Sequence, residues 1–248
     1  MTVLGTASPY PRPGDPCSSL LLTSGGTRIW VDAGAGTLAA LLDHTSLEDL
    51  DAVWISHTHA DHFSDLAVTY YALLFADVER PPLPVHGPPG WAERLRAVLT
   101  HADPSPVERA FAVHELDDRQ QVRVGDLDLT AVAVHHDVPC FGFRATDGDV
   151  RVAYTGDTGP CDALHDLARD VDLLVSEAGY GVDGADPEGV HLTAAEAGAA
   201  AAQAGARRLL LTHLAGAAVE ACVRSATGAG HPAVLGAVAG HTLTIGTR

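Results

Sequence analysis

The sequence predicts a single α/β domain in which two β-sheets pack face to face and helices cover both outer surfaces, a four-layer αββα arrangement. Apolar strand-like runs alternate with helical segments near both ends of the chain. Between residues 111 and 155 strand follows strand with no helix between them, which favours an antiparallel meander over the alternative, a doubly wound parallel sheet. No linker, repeat or low-complexity tract divides the chain, so residues 1–248 are assigned to one domain.

The first half of the chain supplies one group of predicted elements. Residues 24–26, Ser-Gly-Gly, separate two apolar runs and are typical of a hairpin turn. Residues 51–56 are short and apolar, as expected of a buried strand. Strands are predicted at residues 3–7, 18–23, 27–31 and 51–56, with a further strand that has a Pro/Gly-rich exit within 81–90, and helices at 37–43, 65–76 and 91–99.

The second half begins with the meander and ends with helices. Thr193 and Glu196 form a capping box, which predicts the start of an alanine-rich helix that stops at Gly205. Strands are predicted at residues 111–116, 121–124, 127–134, 150–155, 171–175 and 208–212, with one or two more in the tail, and other helices at 161–168 and 217–226.

Composition and charge narrow the function classes. No apolar run approaches the roughly 18 residues of a membrane span, and the first residues lack the basic and apolar regions of a secretory signal. Four widely spaced cysteines with no C-x-x-C pair predict reduced thiols in a cytoplasmic protein. A formal net charge of −17, with 15 Arg and no Lys, argues against long nucleic acids as partners. A small anionic substrate stays open, because bound metal ions would outweigh the global charge locally.

The segment from His57 to His62 reads His-Thr-His-Ala-Asp-His and directly follows the apolar run at 51–56. Imidazole nitrogen and carboxylate oxygen are the ligands that Zn²⁺ takes in catalytic sites. So many ligands at such close spacing cannot all reach one ion from a regular helix or strand, so a tight turn is expected. The pattern therefore predicts a metal centre where a strand ends.

Other polar residues also follow apolar strands. Loops at strand ends are where α/β scaffolds build their sites. If the strand ends meet, these side chains converge with the 57–62 motif on one centre. The residues that follow predicted strands in this way are His57, His136, Asp157, Glu177 and His213.

The motif at 57–62 resembles the signature of the metallo-β-lactamase fold hydrolases. Further segments have counterparts, in the same order, in the ribonuclease Z-like branch of that family. The resemblance implies a single-domain α/β fold, the four-layer αββα metallo-β-lactamase sandwich. The segments that carry it are residues 4–6, 31–34, 57–62, 141–144, 156–161, 176–178, 191–194 and 211–213.

The same resemblance implies a pair of divalent metal ions, with Zn²⁺ expected and Mn²⁺ as the alternative. It selects His136 as a ligand because the following Phe141 to Arg144 segment stands at the family's spacing, with His135 as the alternative. It implies a first metal site of His57, His59 and His136, a second of Asp61, His62 and His213, and Asp157 bridging both.

Two departures from the ribonuclease Z pattern bear on substrate. His136 and Asp157 are 21 positions apart, and predicted strands fill this gap, so the long arm that grips tRNA is absent. The usual His-Ser-Thr is His191-Leu192-Thr193 here. The layout looks more like the arm-less phosphodiesterases of this branch, including actinobacterial enzymes that hydrolyse cyclic nucleotides.

The resemblance thus implies a dinuclear phosphodiesterase acting on a small phosphodiester such as a cyclic nucleotide. A lactonase or thioesterase is the alternative, and a tRNA 3′-processing endoribonuclease fits less well. A two-iron oxidoreductase is disfavoured because relatives of that kind carry a carboxylate where this chain has His59, and a complete ligand set disfavours a non-catalytic binding protein. His191, as proton donor to the leaving group, and Asp61 form the predicted catalytic set, and relatives suggest a homodimer.

Three further residues have open roles at this point. Glu177 either orients a histidine or is purely structural. His86 either faces the substrate or has a capping or surface role. Arg144 either meets a phosphate oxygen or forms a buried ion pair.

Overall fold

Two β-sheets dominate the structure, a computed structural model that describes residues 1–76, 78–99, 106–182, 184 and 189–246. The first sheet contains β1 (Thr2–Gly5), β2 (Ser19–Ser24), β3 (Thr27–Val31), β4 (Ala52–Trp54), β5 (Leu83–Gly87) and β6 (Phe111–Glu115), in that spatial order. The second contains β7 (Gln121–Val124), β8 (Leu127–Val134), β9 (Cys140–Thr146), β10 (Arg151–Tyr154), β11 (Leu173–Glu177), β12 (Leu209–Thr212) and β13 (Val234–Gly236), also in chain order.

Each sheet has an antiparallel part and a parallel part. In the first, β1 to β3 pair antiparallel and β3 to β6 parallel. In the second, β7 to β10 form the predicted antiparallel meander, and β10 to β13 are parallel. The strand predicted at 111–116 is not part of that meander. It pairs with β5 as the edge of the first sheet, because a helical crossover precedes it and returns the chain parallel to β5.

The helices are α1 (Thr37–Leu42), α2 (Ala60–Phe63), α3 (Asp65–Phe75), α4 (Trp91–Val98), α5 (Val107–Ala110), α6 (Ala163–Ala168), α7 (Ala194–Gln203) and α8 (Val219–Gly228). The short helices α2 and α5 were not predicted, because four residues are too few to show a helical period. Among the described residues, no helix has the length and apolar character needed to traverse a bilayer.

Side chains that point alternately to the two faces of each sheet create the four layers. In β3, Ile29 and Val31 enter the core between the sheets, while Trp30 between them packs against the helices outside the first sheet. Trp54 and Phe143 meet edge to face across the inner core, with ring centroids 5.2 Å apart. A third apolar cluster lies between the second sheet and helices α6 to α8. The predicted αββα sandwich is therefore confirmed.

Arg144 differs from both predicted roles. Its guanidinium donates hydrogen bonds to the backbone carbonyls of Asp166 and Leu167, at 2.9 and 2.7 Å, in the last turn of α6. These carbonyls have no partner within the helix, and a cation near them also complements the helix dipole. Arg144 therefore joins β9 to the end of α6, and it makes neither a buried ion pair nor a contact with the site below.

Candidate metal centre

The 57–62 motif is held in place by the loop that follows β3. The backbone N–H of Ala33 donates to the carbonyl of His62 at 2.7 Å, and that of Asp65 donates to the carbonyl of Ala33 at 2.7 Å. Gly34 lies directly against this turn, since a Cβ placed there would stand 1.8 Å from the carbonyl oxygen of Asp61. Only glycine permits this approach. The chain therefore turns sharply after β4 and enters α2 at His59, as the crowding of ligands required.

Six other strand-end and motif side chains surround Asp157, the residue that follows β10. His62 Nε2 is 3.3 Å from Asp157 Oδ1, His213 Nε2 is 3.2 Å from Asp157 Oδ2, and His57 Nε2 is 3.7 Å from the same oxygen. The structure thus brings together the ligands named from the sequence, although they are up to 156 positions apart. They are His57, His59, Asp61, His62, His136, Asp157 and His213.

The convergent side chains form four overlapping groups of three among the described residues, and two of these groups contain Asp157. His57, His59 and His136 make one group, in which His136 Nε2 is 3.3 Å from His59 Nδ1. Asp61, His62 and His213 make another, in which His213 Nε2 is 3.3 Å from Asp61 Oδ2, and the two groups with Asp157 join it to His57 and His62 and to His191 and His213. Ligand atoms about 2.1 Å from one tetrahedral ion lie about 3.4 Å apart, so these separations suit metal coordination.

His135 belongs to none of these groups. It is exposed, whereas the side chain of its neighbour His136 is almost completely buried at the cluster. Successive residues at the end of β8 point in opposite directions, so only one of the two histidines can face Asp157. The geometry favours His136 over the alternative.

Unpaired buried atoms test whether a metal fits this cluster. Among the described residues, His57 Nε2, His62 Nε2 and Asp157 Oδ1 are buried and have no hydrogen-bond partner. Buried polar atoms almost always have a partner, and three exceptions facing one another require an explanation. Divalent ions would supply it, because neutral imidazole nitrogen and carboxylate oxygen are their ligands. The residues present therefore fit a metal.

The pKa shifts of His57 and Asp157 agree with metal binding at this cluster. Burial, followed by the neighbouring His62, lowers the pKa of His57 well below its usual value, which keeps the imidazole neutral and its lone pair available. Burial alone would raise the pKa of the Asp157 carboxyl, but His213 and His62 hold it well below its usual range. Asp157 is thus a carboxylate in the middle of the histidine cluster.

Asp32, at the end of β3, fixes one of the histidines from behind. Its Oδ2 is 2.8 Å from His62 Nδ1 and accepts hydrogen bonds from the hydroxyls of Tyr154, at 2.6 Å, and Ser56, at 2.9 Å. Its Oδ1 accepts from the backbone N–H of Ser56 at 2.7 Å. With Nδ1 engaged, His62 turns Nε2 toward Asp157. Burial and Asp32 also raise the pKa of Tyr154 well above its usual value.

Two more histidines are oriented in the same way by other parts of the chain. His57 Nδ1 lies 3.0 Å from the hydroxyl of Ser56, and His136 Nδ1 lies 2.9 Å from the carbonyl oxygen of Val190. In each case the Nε2 atom faces the cluster. The segment just before His191 therefore helps to position a histidine that follows β8.

Glu177 and His191 form a pair at the edge of the cluster. His191 Nδ1 is 3.0 Å from Glu177 Oε1 and 3.9 Å from Asp157 Oδ2. The glutamate is buried and also accepts backbone N–H bonds from Thr158 at 2.8 Å, Gly179 at 2.7 Å and Leu192 at 3.3 Å. So many donors fix the carboxylate firmly. Glu177 therefore contacts and orients His191, one of the two roles the sequence left open.

The family model described as "Beta-lactamase superfamily domain" matches residues 27–214, which include most of both sheets and all seven clustered side chains. The chain belongs to the beta-lactamase superfamily.

Relatives within the superfamily are similar over most of their length. The probable metallo-hydrolase YhfI of Bacillus subtilis is 32% identical over 219 residues, covering 86% of each chain. A crystal structure of the metallo-beta-lactamase fold protein YhfI superposes with a TM-score of 0.86 at 29% identity, covering 97% of this chain and 96% of that one. Ribonuclease Z of Mycobacterium bovis strain BCG Pasteur is 35% identical over 201 residues, 71% of this chain and 68% of that protein. The protein is thus a metal-dependent hydrolase of the metallo-β-lactamase fold.

His86 is the candidate that this superfamily site does not include. It is half-buried at the end of β5, where its ring stacks on that of His114 with centroids 4.7 Å apart and an angle of 16°. Trp54 packs on it at 6.4 Å. Among the described residues, it belongs to none of the groups that could hold a metal. Its side chain therefore packs on β5 between the neighbouring strands β4 and β6 of the first sheet.

The position of His86 predicts an acid-sensitive step in stability. Burial, followed by His114, lowers the pKa of His86 to about 4. The unfolded chain restores a value near 6.5, so unfolding takes up a proton, and stability is lost as pH falls from about 6.5 to about 4. In metal-free protein, His86→Gln should reduce the fall in unfolding free energy between about pH 7 and 4.5 by about 1–2 kcal/mol. Urea titrations at several pH values measure it.

The control for this effect is His241→Gln, which changes an exposed histidine. That variant should keep the pH dependence of the unmodified protein. An identical fall in stability for His86→Gln and the unmodified protein would contradict the assignment.

Two residues near the cluster were not predicted from the sequence. The Ser8 hydroxyl donates to Asp61 Oδ2 at 3.3 Å from the irregular loop after β1. Asp137 Oδ1 is 3.1 Å from His136 Nε2 and 3.5 Å from His59 Nε2. Nothing in the loop composition singled out Ser8, whereas the position of Asp137 next to a predicted ligand was a signal that could have been used.

Proposed function

We propose that this protein is a phosphodiesterase that hydrolyses a small phosphodiester, such as a cyclic nucleotide. The observation that carries the proposal is the Glu177–His191 pair, which stands beside Asp157 where a leaving group would depart. Its relative named ribonuclease Z, similar over 71% of this chain, supports a phosphodiester as the bond that is cut.

Seven side chains would hold two divalent ions, for which Zn²⁺ is proposed and Mn²⁺ is the alternative. His57, His59 and His136 would bind one ion. Asp61, His62 and His213 would bind the second, and Asp157 would be a ligand of both. When bound, such ions polarise a phosphoryl oxygen and bring the pKa of water near 7.

His191 is proposed as the general acid. Its Nδ1 contacts Glu177, so Nε2 is the nitrogen that would give a proton to the leaving alkoxide. An imidazole suits this role because its pKa lies near working pH. The capping box at Thr193 begins α7 two residues later and fixes the direction of the chain, which holds His191 in place for the transfer.

Asp61 is proposed to act in catalysis as well as in metal binding. Its Oδ2 atom lies 3.3 Å from His213 Nε2 and from the Ser8 hydroxyl. Hydrogen bonds from two sides hold this carboxylate in one orientation. It would therefore be positioned to orient the attacking water opposite the leaving group.

The proposed size of the substrate follows from the short stretch of sequence between His136 and Asp157. In the structure β9 and β10 occupy it, joined by a short turn near Asp147. No arm for tRNA extends from these described residues. With the formal charge of −17, this arrangement supports a small anionic substrate over long nucleic acid.

A substrate panel on protein of known metal content tests the proposal. It includes bis-p-nitrophenyl phosphate, 3′,5′- and 2′,3′-cyclic nucleotides, a lactone and a thioester. We expect turnover of at least one cyclic nucleotide, with kcat/KM well above that for the lactone and thioester. Because the same centre can attack a carbonyl, preference for the lactone or thioester would replace the proposal with an acyl hydrolase.

A further inference from the structure

The open side of the metal centre is defined by which of its side chains meet solvent. The side chains of His57, His62 and His213 are at most 3% exposed. By contrast, His59 is 34% exposed and His191 is 22% exposed. A substrate must therefore reach the cluster between these two residues.

Asp137 stands at this opening. Its side chain is 49% exposed, and Oδ1 lies 3.1 Å from His136 Nε2 and 3.5 Å from His59 Nε2. Among the described residues it is not a member of any group whose ligand atoms converge on one point. Its carboxylate thus places a negative charge at the approach to the cluster.

In the described part of the chain, no arginine or lysine balances that charge. The chain has no lysine. The arginine ion pairs of the described residues all lie elsewhere, and none includes Asp137 or a carboxylate of the cluster. Asp61, Asp137 and Asp157 would already offset most of the charge that two divalent ions bring. Each additional negative charge on a ligand would then meet Asp137 without compensation from an arginine.

We infer that Asp137 selects for substrates of low negative charge, so that the substrate class is a monoanionic phosphodiester and phosphomonoesters are rejected. The inference rests on the proposed function and adds its charge selectivity. A diester carries one negative charge, whereas a monoester carries about two near neutral pH. A phosphomonoester product would also leave more readily because Asp137 repels it.

Binding of two small probes to metal-loaded protein tests the inference without turnover. Methyl phosphate and dimethyl phosphate differ by one negative charge at about pH 8, above the second phosphate pKa of about 6. A unit charge about 6 Å away in a medium of effective dielectric about 40–80 changes affinity by about 3- to 10-fold. We expect the Asp137→Asn substitution to increase the affinity for methyl phosphate by that factor relative to the affinity for dimethyl phosphate, as measured by calorimetric titration.

Two further variants complete the experiment. Asp137→Ser should give the same change as Asp137→Asn, because both remove the charge. Asp149→Asn is the matched control, since Asp149 is an exposed aspartate in the turn at the other end of β9. It should leave the ratio of the two affinities unchanged.

An unchanged ratio in both Asp137 variants would overturn the inference, and so would an absence of binding by either probe. Loss of metal from both variants would also overturn it, because Asp137 would then support the histidines. The substrate panel decides the proposed function separately. A protein that turned over lactones would still give a ratio for the two probes.

Discussion

Replacing Asp157 with alanine is expected to empty both metal sites and to lower hydrolysis by about 10³-fold or more. The carboxylate is buried between the two groups of ligands and lies within 3.7 Å of His57, His62 and His213. Two-ion catalysis lowers a barrier by several kcal/mol, and each 1.36 kcal/mol is about tenfold in rate. Elemental analysis of purified protein and initial rates on the best substrate of the panel measure the two effects.

The matched control is Asp162→Ala. Asp162 is exposed five residues further along and makes no side-chain cap to α6. It should retain full metal content and rate. If Asp157→Ala kept two ions per chain and its activity, the centre described above would not be the one that performs the reaction.

Replacing His191 with alanine is expected to lower the rate on a cyclic nucleotide by about 10²–10⁴-fold while metal content stays intact. The side chain contacts Glu177 and approaches Asp157, but lies on the exposed edge of the cluster. The leaving group provides the sharper measurement. A nitrophenolate departs without a proton. The rate of bis-p-nitrophenyl phosphate hydrolysis should therefore fall far less than the rate on a substrate that releases an alkoxide.

His165→Ala is the control for this variant, since His165 is an exposed histidine on α6. It should behave as the unmodified protein toward both substrates. Equal losses on the nitrophenyl ester and the cyclic nucleotide for His191→Ala would point to substrate or metal binding and away from proton donation.

The sequence was most informative where chemistry and strand ends coincide. His57, His136, Asp157 and His213 each follow an apolar run, and the parallel pairing of β10, β11 and β12 brings Asp157 and His213 to one edge of the second sheet. The αββα layers were predicted from strands that alternate with helices and from the antiparallel meander, and the alternating burial of Ile29, Trp30 and Val31 shows how those layers pack. Patterns of this kind are local, so they survive without knowledge of the fold.

Contacts between distant backbone segments could not be predicted in the same way. Arg144 binds carbonyls at the end of α6, and the backbone carbonyl of Val190 orients His136. Every residue has such a carbonyl, so composition cannot tell which one is used. The four N–H and imidazole contacts of Glu177 likewise depend on how three loops meet, which only the folded chain determines.

The central position of Asp157 links metal binding to the stability of the folded protein. One set of ligands follows β4 in the first sheet, and the rest follow β8, β10 and β12 in the second. Ions bound there would cross-link the amino-terminal and carboxyl-terminal halves non-covalently, and ligand binding that favours the native state adds to its stability. Metal supply would then govern the abundance of the folded protein as well as its turnover number.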